Sequence, residues 1–583
     1  MVKCSLKLIS LIGNPVPAFE TISYCWGPPR KQSIIELDGR RIRVPASSEA
    51  AVRCMRLRDR PRVLWIDAIC IDQSSTTERS TQVAFMSEVY RNARCNLIYL
   101  GEKNRMTKRA VMAVEGIMND MRTATADLTL LPQTLRDGET GALLKNPNGG
   151  LDVGTDLKAL QALFSRHWFR YDCIPTISRR VKIDDCRRLW VLQEVVLASS
   201  NICHWGTYTF DLFTAVGAAT WISYKDTSPW GLDSDVGVSC ASEMFDLLFV
   251  DHRFDKSWPS LLATMLYTAR RFENTEPRDS IFAILGLLDQ ESCLGSYESS
   301  LIRVDYTKPI PDVFRDGTRY ALCQTGDLHA LRLVDHRSDI LHDSQPCPTW
   351  TVQANEVHDA LPLFNAFKAC DGLNRQSSLG DESSDENVLL LEGILVDEVL
   401  QPTVTCLMNH WGDYREFHNW LISVRNIGMS LSNVANQEEP HLAMAFALTA
   451  GCTWIGPRAQ SGDLQTLAAY LKSLTITVSD SFRTNKTFDY ERVKSIRETH
   501  QLNYCLKRRF FVTAAGRMGL GPRCMQPEDI VVVLRGGKMP FVLRKKDDSY
   551  WLLGEAYVHG IMDGEAVQMH NARGGSEEVF HIR

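Results

Sequence analysis

One stretch, beginning at residue 63 and ending at residue 101, constrains the fold more than any other. Residues 63–67 form a short, mostly apolar run that ends on an acid, which is typical of a strand buried on both faces of a parallel sheet. Ser75 and Glu78 have the spacing of a capping box and predict a helix start, and residues 96–100 predict the next strand. Two parallel strands joined through a helix form a right-handed crossover, and ligands of such sheets bind beyond the carboxyl ends of the strands. We therefore expect an α/β domain whose functional site lies near the end of its strands.

Charge and motif content exclude several classes of function. Lys plus Arg number 65 and Asp plus Glu 70, so the net charge of -5 predicts neither a nucleic-acid partner nor an anionic membrane partner. No apolar run reaches the roughly 20 residues that span a bilayer. The 17 cysteines include no C-x-x-C pair, which favours reduced thiols and a cytoplasmic location over a zinc or redox site. Phosphate-binding glycine motifs, H-E-x-x-H and G-x-S-x-G are missing too, so we predict no metal and no bound cofactor.

The remaining pattern divides the chain into four parts. The N-terminus lacks a signal-peptide core and predicts a first strand, and Asp38-Gly39 predicts a β-hairpin turn. Helical spacing dominates the middle, and short strands punctuated by turn residues dominate the end, where we expect an antiparallel sheet or barrel. The predicted parts are residues 1–205 (α/β), 206–370 (mainly helical), 371–387 (polar linker) and 388–583 (helical, then β-rich).

Three motifs carry a resemblance to a known family. The core segment WIDAICIDQ (65–73) is followed by Glu78-Arg79, Gln82-Val83 and Val89-Tyr90; ISYCWG occupies 22–27 and LWVLQEV occupies 189–195. In this order they resemble the motifs of the fungal heterokaryon incompatibility (HET) domain. The N-T-E-P-R-D segment ending at Asp279 and the G-E-A-Y-V-H-G segment near residue 555 resemble segments common in longer HET proteins.

A seventeen-residue segment, 171–187, interrupts the third motif. It separates Trp168-Phe169-Arg170 from Arg188-Leu189-Trp190, which the family pattern places together. Two explanations stay open: an intron retained in the gene model, or a genuine loop. Sequencing the transcript decides between them, since a message that contains all seventeen codons rules out the intron.

The most informative single residue is Glu194. Residues 189–198 are apolar nearly all round except for Gln193 and Glu194, so the pattern predicts a buried helix that carries an acid. A buried carboxylate is costly unless it is paired, solvated at an edge or placed in a functional pocket. Arg170, Arg188 and Arg278 are the candidate partners for the first outcome, and all three outcomes stay open here.

The resemblance adds a catalytic hypothesis for Glu194. The HET domain is remotely similar to the TIR domain, which implies a flavodoxin-like sheet. In TIR domains that cleave NAD, a glutamate shortly after a tryptophan performs the reaction, and Trp190 and Glu194 match that pair. The similarity implies that Glu194 would stabilise the oxocarbenium-like ribose as nicotinamide leaves. NAD would then be a substrate and not a cofactor.

Residues of the other two motifs, together with Trp190, are the candidates for substrate contact. Ser23, Tyr24 and Trp26 could stack on an adenine or nicotinamide ring, although such aromatics are more often core residues. Asp67 could contact a ribose or a partner. The residues Asp72, Gln73, Glu78, Arg79, Gln82 and Gln193 complete the motifs as structural residues. For Glu78, helix capping is favoured over contact with a ribose or a partner, and Arg278-Asp279 predicts local ion pairs.

The function that the resemblance implies is growth arrest or cell death triggered by non-self recognition. Two mechanisms stay open for the HET domain: hydrolysis of NAD through Glu194, or self-association and contact with protein partners without turnover. A third alternative is a degenerate family member with neither role. Nicotinamide release from NAD separates the first two.

Overall fold

The computed structural model describes most of the 583-residue chain. The described residues are 1–11, 16–28, 30–124, 153–169, 189–224, 236–249, 266, 276–287, 302–325, 327–336, 341–342, 346–353, 363, 367–373, 385–407, 414–431, 433–453, 458–474, 489–500 and 502–583. The segment 171–187 therefore lies outside them. So does the stretch 261–272, whose apolar residues have helical spacing, except for Leu266.

Strands and helices are mixed up to residue 224. The strands are β1 (Lys3–Cys4), β2 (Glu20–Tyr24), β3 (Gln32–Leu37), β4 (Arg40–Pro45), β5 (Leu64–Trp65), β6 (Asn96–Tyr99), β7 (Asn201–Trp205) and β8 (Tyr208–Asp211). The helices are α1 (Ala46–Met55), α2 (Asp67–Cys70), α3 (Thr76–Asn92), α4 (Thr107–Ala124), α5 (Val153–Phe164), α6 (Trp190–Val196) and α7 (Leu212–Tyr224).

Helices continue through the middle, and strands then dominate the end. The helices are α8 (Val236–Phe249), α9 (Asp279–Leu285), α10 (Ile310–Thr325), α11 (Tyr414–Gly428), α12 (Pro440–Leu448), α13 (Gln465–Ser473), α14 (Tyr490–Thr499) and α15 (Glu565–Ala572). The strands are β9 (Leu389–Pro402), β10 (Arg508–Thr513), β11 (Met518–Pro522), β12 (Ile530–Leu534), β13 (Phe541–Lys546), β14 (Ser549–Glu555), β15 (Tyr557–Val558) and β16 (Glu578–Ile582).

The predicted parallel sheet is present in the N-terminal domain. Its five strands have the order β5-β2-β6-β7-β8, and the first four run parallel. Counted along the chain, the parallel strands have the order 2-1-3-4, and the order reverses between β2 and β6, where open sheets form a crevice. The fifth strand, β8, is antiparallel because Gly206, with a φ of 62°, turns the chain directly back from β7. The sheet therefore extends beyond residue 205.

Local chemistry explains the other elements at this end. Asp38 and Gly39 have φ values of 49° and 77°, as a primed hairpin turn requires, which confirms the predicted hairpin. Ser75 Oγ accepts from the Glu78 amide at 3.2 Å, which confirms the helix start. The strand predicted over residues 63–67 is shorter than expected, because Asp67 already begins the single turn of α2.

The C-terminal strands close on themselves, in line with the predicted sheet or barrel. β9 pairs with β12 on one side and β16 on the other, and β13 and β14 complete the ring. The residue pattern does not predict β9, because Gly393 and Asp397 interrupt its alternation of apolar and polar residues. One apolar core continues from α3 and β6 of the first domain to this ring, since Leu391 and Phe580 belong to it.

No helix among the described residues is long and apolar enough to cross a membrane. The described cysteines are free, and no cluster of metal-ligating side chains occurs among the described residues.

Candidate functional site

Asp67 lies at the carboxyl end of the sheet, beside the point where the strand order reverses. Its Oδ1 accepts from Tyr24 Oη at 3.2 Å and from the Ala68 amide at 2.8 Å, and its Oδ2 accepts from Trp26 Nε1 at 3.0 Å. The residue is 6% exposed. The structure thus brings the first two motifs together, and their polar atoms bind one another.

Ser23, on the same strand as Tyr24, is also engaged within the chain. Trp168 Nε1 donates to Ser23 Oγ at 2.9 Å, and both residues are buried. The Trp168 ring meets Phe169 edge-on at 5.1 Å between centroids. The hydrogen bond between Trp168 and Ser23 attaches the segment that follows α5 to β2.

The remaining polar residues of the core motif act as caps at the surface. Gln73 Nε2 donates to the backbone oxygen of Asp67 at 3.3 Å, and Glu78 Oε1 accepts from the Asp72 amide at 3.1 Å. The hydrogen bond from the Ser74 hydroxyl lowers the pKa of Asp72, and the Ser74 amide adds to that effect. Gln82 lies half-buried on α3.

A second cluster lies where α3, α6 and α9 meet. Asp279 Oδ1 accepts from Tyr306 Oη at 2.7 Å, and the Asp279 carboxyl also accepts from the Trp190 side chain. The Arg79 guanidinium lies 4.2 Å above the centre of the Tyr306 ring. Burial raises the pKa of Asp279, and these hydrogen bonds offset part of the rise.

Asp279 does not form the local ion pair that the sequence predicts; its side-chain hydrogen bonds are with more distant residues. The expected local pairing applies to Arg278 alone, whose Nη1 lies 2.6 Å from Glu276 Oε1. Asp279 instead connects α9 to the third motif through Trp190 and to α3 of the core motif through Tyr306 and Arg79. Its position directly before an apolar helical run is the sequence signal that could have indicated a buried acid.

The backbone of Glu194 lies at the opposite end of the sheet from Asp67. Asn96, the first residue of β6, donates from Nδ2 to the Glu194 backbone oxygen at 3.2 Å and pairs with Thr21 of β2. Tyr24, which holds Asp67, is three residues further along β2, roughly 10 Å at the rise of a strand. The structure therefore does not bring the Glu194 backbone to the Asp67 cluster.

Glu194 itself is 1% exposed, so the predicted burial of this acid is confirmed and the solvated outcome does not apply. Of its three candidate partners, Arg278 pairs with Glu276, while Arg170 and Arg188 lie outside the described residues. The catalytic role of Glu194 stays a prediction. The same holds for substrate contacts by Ser23, Tyr24, Trp26, Asp67 and Trp190.

His204, on β7 of the same sheet, should make the stability of this domain depend on pH. Burial, with a smaller contribution from the charge of Arg62, lowers the pKa of His204 from 6.5 to about 4. The unfolded chain then binds more protons between those values, so the free energy of unfolding falls as the pH decreases from 6.5 to about 4. We expect a loss on the order of 2 kcal/mol, discounted for partial exposure.

The measurement is urea unfolding of the wild type and His204→Gln across this pH range. The variant lacks the titrating group, so its stability relative to the wild type should rise on acidification. A difference that stays constant with pH would contradict the assignment.

Comparison with known proteins adds two matches to family models and one relative. Residues 19–194 match the model described as "Heterokaryon incompatibility protein (HET)", and residues 485–575 match the "Het-6 beta-barrel domain". The chain is also similar to "Heterokaryon incompatibility protein 6, OR allele" of Neurospora crassa, with 24% identity over 630 residues that cover 95% of this chain and 90% of that protein. No solved structure matches the chain significantly.

Proposed function

We propose that this chain acts in fungal non-self recognition, because residues 19–194 match the HET family model and residues 485–575 match the Het-6 β-barrel model. Its output would be growth arrest or cell death, delivered by the HET domain. Similarity to an incompatibility protein along 95% of the chain supports this role for the whole architecture, beyond a single motif. The apolar core that continues from the HET domain into the barrel gives the two parts a route to influence one another.

For the mechanism, we propose association with other protein molecules without turnover of NAD. The single observation that supports this mechanism is that polar side chains of the motifs form hydrogen bonds with one another and with other residues of the chain. Tyr24 and Trp26 donate to Asp67, and Trp168 donates to Ser23. Trp190, in turn, donates to Asp279. Groups that were candidates for binding a substrate thus stabilise the fold.

NAD hydrolysis through Glu194 is the second candidate. Trp190 and Glu194 are four residues apart on α6 and so share a helical face, and α6 precedes the fourth parallel strand of a sheet with the order 2-1-3-4. A TIR-like domain would place its acid on the corresponding helix. In this case Glu194 would act on the ribose, and its removal would abolish the output.

Overexpression in a fungal host separates the two mechanisms. We expect Glu194→Gln to arrest growth as strongly as the wild type, because association needs the shape of the domain and not its carboxylate. Glu88→Gln, an exposed substitution on α3, is the matched control, and immunoblots establish equal amounts of soluble protein. Loss of arrest by Glu194→Gln alone, at an unchanged protein level, would support NAD hydrolysis instead.

A further inference from the structure

A cavity of about 420 Å³ lies between α3, the end of α9 and the segment 302–304. This volume falls at the low end of the ~300–1,000 Å³ that small-molecule sites occupy. Phe282, Val83 and Tyr320 give it apolar and aromatic walls, and Gln193 of α6 contributes an amide. It is separate from the Asp67 cluster.

The Gln193 amide is built into the cavity wall. The residue is 1% exposed, and its Oε1 accepts no hydrogen bond from any residue that the structure describes. Gly286 makes room for it, since a methyl group at that position would lie 1.7 Å from Gln193 Nε2. A buried amide without a partner is costly, so a position that keeps one in a cavity points to a ligand that completes it.

The chemistry of the lining restricts what that ligand can be. A glutamine amide presents an acceptor beside a donor, which matches the N6 and N7 edge of adenine. Aromatic and aliphatic walls suit a planar ring. Among the lining residues the charged one is Arg303, which is exposed, so it lies where the cavity meets solvent and suits an anionic group.

We propose that this cavity binds an adenine nucleotide of monophosphate size. The adenine edge contacts Gln193, the ring lies between α3 and Phe282, and the phosphate extends toward Arg303. This site would make the conformation of α3, α6 and α9, the elements that the Asp279 cluster joins, sensitive to a nucleotide. The inference does not depend on whether the chain hydrolyses NAD.

Calorimetric titration of the full chain with AMP tests the site. We expect saturable binding, and binding of IMP weaker by about tenfold or more, because hypoxanthine carries an oxygen where adenine carries the amino donor. Gln193→Leu should remove this discrimination and lower the affinity for AMP by a similar factor. Gly286→Ala should also lower the affinity for AMP, because the added methyl group displaces the amide. Gln82→Leu, the same substitution on α3 away from the cavity, should bind AMP as the wild type does.

Two further measurements separate lost binding from lost folding. Gln193→Leu should melt at or above the wild-type temperature, because it removes a buried amide oxygen that has no partner among the described residues. Arg303→Ala, at an exposed position, should lower the affinity for AMP and leave the affinity for adenosine unchanged. The proposal is overturned if AMP shows no saturable binding up to millimolar concentration, if AMP and IMP bind equally, or if Gln193→Leu binds AMP as the wild type does.

Discussion

Replacing Glu555 by alanine is expected to lower the free energy of unfolding by about 3–5 kcal/mol. The carboxylate is 2% exposed. Its Oε2 lies 2.9 Å from Arg332 Nε, and its Oε1 lies 2.9 Å from Arg508 Nη2 and 2.7 Å from the Leu363 amide. Alanine would leave two buried guanidinium groups without their carboxylate, which costs far more than the pair itself contributes.

The control for Glu555 is an acid in an exposed pair nearby. Asp563 binds Arg458 through both carboxylate oxygens, but both side chains are about two-fifths exposed. Asp563→Ala should therefore cost no more than about 1 kcal/mol. Urea unfolding measures both variants, and equal losses would show that the Glu555 network is not the buried junction described here.

Asp67→Ala is expected to cost about 2–4 kcal/mol of unfolding free energy. The substitution removes the carboxylate group and leaves Tyr24 Oη and Trp26 Nε1 without the Asp67 oxygens that accept from them. A hydrogen bond contributes about 0.5–1.5 kcal/mol, and a buried donor left without its acceptor costs about 1–3 kcal/mol. Thermal and urea unfolding provide the measurement.

The matched control is Asp59→Ala in an exposed turn of the same domain, which should leave the unfolding midpoint unchanged. The alternative for Asp67 is a substrate contact. That alternative predicts an Asp67→Ala protein as stable as the wild type but defective in function, and such a result would remove the structural role assigned to this acid.

Much of the N-terminal fold could be predicted because the signals are local. Asp38-Gly39 suits positive φ at two successive positions, and Ser75 lies three residues before Glu78, so each turn or cap is specified within a few residues. The crossover between β5 and β6 followed from the alternation of an apolar run, a helical period and a second apolar run. The parallel sheet follows from these elements.

The contacts that make the site could not be predicted in the same way. Asp67 accepts hydrogen bonds from Tyr24 and Trp26, which are more than forty positions away in the sequence. Asp279 accepts one from Tyr306, which is twenty-seven positions away. Nothing in the residue types distinguishes an acid that binds a ligand from one that accepts from a buried tyrosine. The position of Glu194 at the amino end of β6 is also not specified locally. It is defined by the hydrogen bond from the Asn96 side chain to the Glu194 backbone, which joins residues far apart in the sequence.

The most direct test of the account is nicotinamide release from NAD by the purified full-length chain. The account predicts that the wild type releases no more nicotinamide than a protein-free sample, and that Glu194→Gln behaves identically. Release by the wild type that disappears in a correctly folded Glu194→Gln protein would contradict this prediction and identify the N-terminal domain as an NAD-cleaving enzyme.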